Sequence, residues 1–293
     1  MSADYSTYYS VTHADEFRAL GLDWPQFYAD ANARTAEARQ RLRVEPDVPF
    51  GPLNKQALDV YHAVFDDASL PVFVFFHGGG YREGDRAHYG FVAPPYAAIG
   101  VTTVIPSYRL LPEFGFAEAL ADAVSAVSWV SEAFPGRPIV LSGHSAGGVL
   151  AARIGFARAD TLGGVYPSTI AGVIAISSSY DLTNELVPEY LLKSFSSELR
   201  RWASPLLNVS DVAPRAAIAV GELEASYHGM ARRLAAEVER RGTKVDLLLL
   251  DGLAHDQTVV ALADPSSPLH KTTASILMSS RNDLLPEGED GRD

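Results

Sequence analysis

Seven short apolar runs, spread over residues 55 to 252, constrain this chain more than any other feature. They read KQALDVYHAVF, LPVFVFFH, GVTTVIPSY, RPIVLSG, IAGVIAISS, RAAIAVG and KVDLLLLDG. Several are apolar without interruption. A strand with one wet face alternates apolar and polar residues, so unbroken runs fit strands of a parallel sheet covered on both faces. Helical patterns lie between them, over residues 116–134, 145–158 and 227–241. Strands alternating with helices imply an α/β fold, with a mostly parallel central sheet flanked by helices.

The ends of the chain depart from that rhythm. HADEFRAL and WPQFYADANARTAEARQRLRV carry helix formers at helical spacing, and PDVPFGP then breaks the pattern. Residues 1–50 therefore read as a helical cap segment. Residues 51–280 read as the α/β body, with a helical insert at 182–210. Residues 281–293 read as a flexible acidic tail.

Composition excludes several classes of function. The formal net charge is −12, which argues against nucleic acid and anionic membranes, since both call for a positive surface. There is no cysteine, hence no disulfide, thiolate nucleophile or cysteine-based zinc site. The first residues show neither a basic nor an apolar leader pattern, and no apolar stretch is long enough to span a membrane. A cytoplasmic protein is expected, with a homodimer one option for its assembly. No G-x-x-x-x-G-K-[ST], strand-linked G-x-G-x-x-G or H-E-x-x-H motif occurs, so neither a cofactor nor a metal is expected.

One junction of strand and helix stands out. IVLSGHSAGGVL places Ser145 between Gly143 and Gly147 in a G-x-S-x-G pattern. In that context the serine sits on a sharp, strained turn that lifts its hydroxyl off the sheet. A serine hydroxyl is a poor nucleophile unless a general base takes its proton and an orienting acid holds the base. His144, inside the motif, is expected to be a supporting residue and not that base.

The other parts follow along the chain. His77-Gly78-Gly79-Gly80 ends a strand with main-chain N–H groups that no side chain covers. Gly79 and Gly80, with the N–H of Ala146, are the candidate oxyanion donors, and His77 is expected to brace their loop. Of eight histidines, only His255 follows the last predicted strand, and it is the candidate base. The acid belongs after the preceding strand, where Glu222 and Glu224 both lie. Glu224 is preferred because it is further into the loop. Glu222 is the alternative, with Asp251 and Asp256 behind it.

On these residues the chain resembles the α/β-hydrolases over most of residues 57–262. FFHGGGYREGD, YRLLPEFGFAEALADAVSAVSWV, GHSAGG and SSSYDL…ASPL resemble esterases of the hormone-sensitive-lipase-like group. The helical N-terminus and VGELEASYHGMARRLAAEV are similar to kynurenine formamidases (arylformamidases), in which the acid aligns with Glu224. Both families usually carry aspartate at that slot, and formamidases typically place tyrosine and tryptophan just after two glycines, where this chain reads HGGGY. The resemblance implies serine-dependent hydrolysis of an ester or amide; the expectation here is a small carboxylic ester cleaved through an acyl-enzyme, with activity lost in acid at about pH 6–7 as His255 becomes cationic. The alternatives are an arylformamidase or related amidase, and a non-catalytic ligand-binding homologue. Tyr81, Tyr180, Trp202 and Trp24 are the candidate pocket residues, with Tyr8, Tyr9 and Phe17 further candidates from the cap.

Overall fold

The computed structural model describes residues 22–65, 67–157, 162, 170–184 and 195–281. The predicted helix at HADEFRAL, the aromatics Tyr8, Tyr9 and Phe17, residues 185–194 of the insert, and the tail from 282 lie outside the described residues.

The elements are, in order, α1 (Trp24–Arg41), β1 (Val44–Pro49), β2 (Ala57–Tyr61), β3 (Val72–Phe76), α2 (Pro94–Ala97), β4 (Thr102–Pro106), α3 (Phe116–Ala133), β5 (Ile139–His144), α4 (Ala146–Gly155), β6 (Ile170–Ile176), α5 (Ser197–Ala203), β7 (Arg215–Gly221), α6 (Ala225–Arg240), β8 (Val245–Leu250), α7 (His255–Leu262) and α8 (Pro268–Ser279). The eight strands form one sheet in the order β1-β2-β4-β3-β5-β6-β7-β8. β3 to β8 run parallel, and β1 and β2 join antiparallel at one edge. Every residue of β2, β3, β4 and β5 is buried, as unbroken apolar runs require. The strand order reverses direction around β3. Ligands of open α/β sheets bind beyond the carboxyl ends of strands near such a point, and there the HGGG loop and the serine turn meet.

Of the eight strands, one has no counterpart among the predicted runs. β1 lies where the sequence suggests only a break in the helical pattern. It is an edge strand with a register shift between Glu45 and Val48, and most of it is exposed. Its prolines lose no ladder bonds at an edge, and its exposure leaves no apolar periodicity to read.

The N-terminal segment is fastened to the body by a charged clasp. The carboxylate of Asp59, on β2, is wholly buried. It accepts from Arg39 Nη2 of α1 at 2.6 Å, from Arg86 Nε at 3.1 Å and from the N–H of Asp47 in β1 at 3.0 Å. The buried face of α1 is Trp24, Phe27, Ala31, Thr35 and Ala38, at helical spacing. Asp23 caps the helix by accepting from the N–H of Gln26 at 3.0 Å. In the insert, α5 ends where the Asn208 side-chain amide donates to the carbonyls of Arg201, Trp202 and Ser204. Among the described residues no helix is long and apolar enough to cross a membrane.

Candidate active site

β5 delivers Ser145 straight into α4 through a turn that only small residues can make. Ser145 has φ 54° and ψ −118°, a strained conformation for a residue with a side chain. A Cβ on Gly143 would lie 2.2 Å from the Gly147 carbonyl oxygen, and one on Gly147 would lie 2.1 Å from the carbonyl oxygen of Phe76. The glycines let strand, turn and helix touch backbone to backbone. The turn is pinned by the Ser145 N–H, which donates to Ile176 at 2.9 Å, and by the Ser178 hydroxyl, which donates to the Ser145 carbonyl at 2.7 Å. Ala146 opens α4, in the first turn where N–H groups have no acceptor within the helix.

The HGGG loop leaves β3 beside that turn. Gly79 has φ 115° and Gly80 has φ 58°, and a Cβ on Gly79 would lie 2.2 Å from the carbonyl oxygen of Glu83. His77 braces the loop, as expected. Its Nδ1–H donates to the Gly78 carbonyl at 2.7 Å, and its ring stacks on Tyr108 with centroids 4.3 Å apart. Burial pushes the His77 imidazole down to about 4, so it is uncharged at neutral pH. The Tyr81 hydroxyl donates to the Ala146 carbonyl at 3.1 Å, tying the loop to the serine turn.

His255 follows β8 after a four-residue turn and opens α7. Its Nε2 lies 3.0 Å from Ser145 Oγ, and its Nδ1 is hydrogen-bonded to Oε1 of Glu224. The three side chains come from three separate strand ends, 110 and 31 residues apart in the chain. Glu222 lies elsewhere: its Oε2 accepts from the N–H of Gly252 at 2.8 Å at the exposed rim. Asp251 is exposed, and Asp256 lines a cleft of about 230 Å³ between α1 and α7. The other Glu224 oxygen, Oε2, accepts from Ser177 Oγ and from the N–H of Gly221, each at 2.6 Å. Ser177 was not foreseen. Its one sequence signal is that it ends the apolar run of β6 as Ser145 follows that of β5.

The ring of His255 is enclosed. Tyr227 stacks on it with centroids 5.3 Å apart, Trp24 meets it edge-on at 5.9 Å, and His144 lies 4.6 Å away. His144 supports it as expected, donating from Nε2 to the His255 carbonyl at 2.9 Å. Burial pushes His144 down to about 3. Burial also pushes His255 down and Glu224 up. Both shifts favour a neutral imidazole, which is the form that can accept a proton. Of the four pocket candidates, Trp24 therefore packs on His255 and Tyr81 on the serine turn. Trp202 is half-buried, over the Arg153 guanidinium at 5.2 Å, and Tyr180 is wholly buried. Among the described residues no cluster of three His, Asp or Glu side chains is arranged to hold a metal.

This arrangement can do one kind of chemistry well: proton removal from a serine hydroxyl as it attacks a carbonyl. A family model described as the alpha/beta hydrolase fold matches residues 73–259. The chain is similar to a kynurenine formamidase from Danio rerio, at 27% identity over 84% of this chain and 86% of that protein. It is 33% identical to the esterase LipI of Mycobacterium tuberculosis over 51% of this chain and 55% of that one. An esterase structure from Pyrobaculum calidifontis superposes with a TM-score of 0.70, at 23% identity, covering 88% of this chain and 92% of that one.

Proposed function

The chain belongs to the α/β-hydrolase family, and on that footing we propose that it is a serine esterase acting on small carboxylic esters through a Ser145-His255-Glu224 triad. The observation that carries this reading is the His255 ring, held between the hydroxyl of Ser145 and the carboxylate of Glu224. In the first half-reaction Ser145 Oγ attacks the ester carbonyl while His255 Nε2 takes its proton. The oxyanion rests on the N–H groups of Gly79, Gly80 and Ala146. His255 then gives its proton to the leaving alcohol, and an acyl-serine remains. In the second half-reaction the same nitrogen deprotonates water, which releases the acid and restores the serine. Glu224 holds the Nδ1 proton throughout and steadies the imidazolium that forms. No cofactor enters this cycle.

A second reading has its own support. The similarity to a kynurenine formamidase runs along most of both chains, and the same machinery cleaves a formamide if the leaving amine is accepted. A fluorophosphonate probe tests the shared premise: it should label the protein, and Ser145→Ala should remain unlabelled. Turnover of p-nitrophenyl acetate against N-formylkynurenine then separates the readings. A kcat/KM for the formamide above that for the ester would replace the first with the second.

A further inference from the structure

Glu224 presents a problem of aim. Its carboxylate stands on two methylenes, rotates about three bonds and is wholly buried. Left alone, such a group has many orientations and few of them face His255. A buried carboxylate also needs donors on both oxygens to remain ionised. One oxygen faces His255 Nδ1. What fixes the other decides whether the acid works.

The Oε2 position is closed by two donors. The Gly221 N–H belongs to the end of β7 and is part of the frame. The Ser177 hydroxyl is supplied by a side chain, from a residue held at φ 50° just past β6. Only a few percent of residues other than glycine have positive φ, and it costs on the order of 1 kcal/mol. The Ser177 N–H donates to the Ala219 carbonyl at 2.8 Å, which holds that conformation. Ser177 Oγ also lies 3.0 Å from Oγ1 of Thr258, and Thr258 Oγ1 lies 2.8 Å from the His255 carbonyl oxygen. Both hydroxyls are buried beside the acid; with the Ser177 proton given to Glu224, the single Thr258 proton goes either to Ser177 or to the His255 carbonyl.

We infer that Ser177 is the positioning residue of this site: its hydroxyl locks Glu224 so that one carboxylate oxygen is aimed at His255 and the charge survives burial. This rests on the esterase reading above. Removing the hydroxyl takes a hydrogen bond from the ionised form of Glu224, so its pKa rises further. A protonated Glu224 no longer holds the Nδ1 proton of His255 in place. The loss therefore falls on kcat and not on KM, and the acid limb of the pH profile moves toward neutral pH.

The test uses the full chain with p-nitrophenyl acetate from pH 4.5 to 9, comparing Ser177→Ala and Ser177→Gly with the unmodified protein. Glycine accepts φ 50° without strain, so the second variant keeps the backbone even where alanine disturbs folding. Both should lose roughly ten- to a hundredfold in kcat, keep KM within about twofold, and shift the acid limb upward. A purely structural serine would not produce that shift at constant KM. Wild-type kcat and acid limb in Ser177→Gly would overturn the inference. Full turnover by Ser145→Ala would instead sink the esterase reading, and this inference with it.

Discussion

The choice between two carboxylates only two residues apart shows how the site works at the scale of single residues. Glu222 and Glu224 follow the same strand, yet one caps a turn at the rim and the other lies buried against His255. Glu224→Gln keeps the shape and removes the charge. It should lower kcat by about 10³- to 10⁴-fold, since an amide can hold the imidazole in the wrong tautomer. Glu222→Gln should leave kcat within a few-fold. Steady-state kinetics on both decide the assignment, and the reverse ranking would exchange the two roles. The sign of the pH dependence follows from burial. A depressed His255 stays neutral to lower pH than a free imidazole, but Glu224, pushed up by burial to about 7, must be ionised to hold it, so kcat/KM should fall as pH drops through about 7. Burial decides which of the two groups sets the limb, and burial is not written in a residue's identity. The serine, the glycine loop and the histidine were legible because each rests on a local steric demand or on position after a strand. Ser177 was not, because its partner lies 47 residues away and no local pattern records that distance.

At the scale of elements, the sheet was legible and its attachment was not. Unbroken apolar runs announce parallel strands wherever they occur. β1 carries two prolines and exposed acids, and it became a strand only because β2 offers it an edge. The clasp on Asp59 was equally silent, since an aspartate inside KQALDVYHAVF looks like the polar half of an alternation. Asp59→Ala would leave Arg39 and Arg86 without their shared acceptor. Arg39 is partly exposed and Arg86 keeps Asp47, so the loss should be about 1–3 kcal/mol and should appear as a lower urea midpoint. Because the clasp joins α1 to the body, amide exchange should rise first across α1 and β1 in that variant. Protection there equal to wild type would mean that the apolar face of α1 holds the segment unaided.

At the scale of the whole molecule, buried imidazoles govern the response to acid. His77 and His144 titrate near 4 and 3 in the folded chain and near 6.5 when unfolded. A depressed pKa means that the unfolded state binds protons first. The stability they allow is complete above pH 6.5 and is lost as pH falls toward 4. By pH 5 each should have removed about 2 kcal/mol. Glu224 and His255 shift in opposite directions, so their contributions largely offset. Urea denaturation at pH 7 and pH 5 checks the sum, and equal midpoints would refute it.

The enclosure of His255 by Trp24, Tyr227 and His144 has a kinetic corollary. With its faces shut, the ring can exchange protons only along the edge that meets Ser145. On the esterase reading proposed above, the leaving alcohol and the incoming water therefore both exchange their protons at that one nitrogen, in sequence. On that reading, small alcohols added to the solvent should compete with water for the acylated serine, giving transesterification in proportion to their ability to reach that nitrogen.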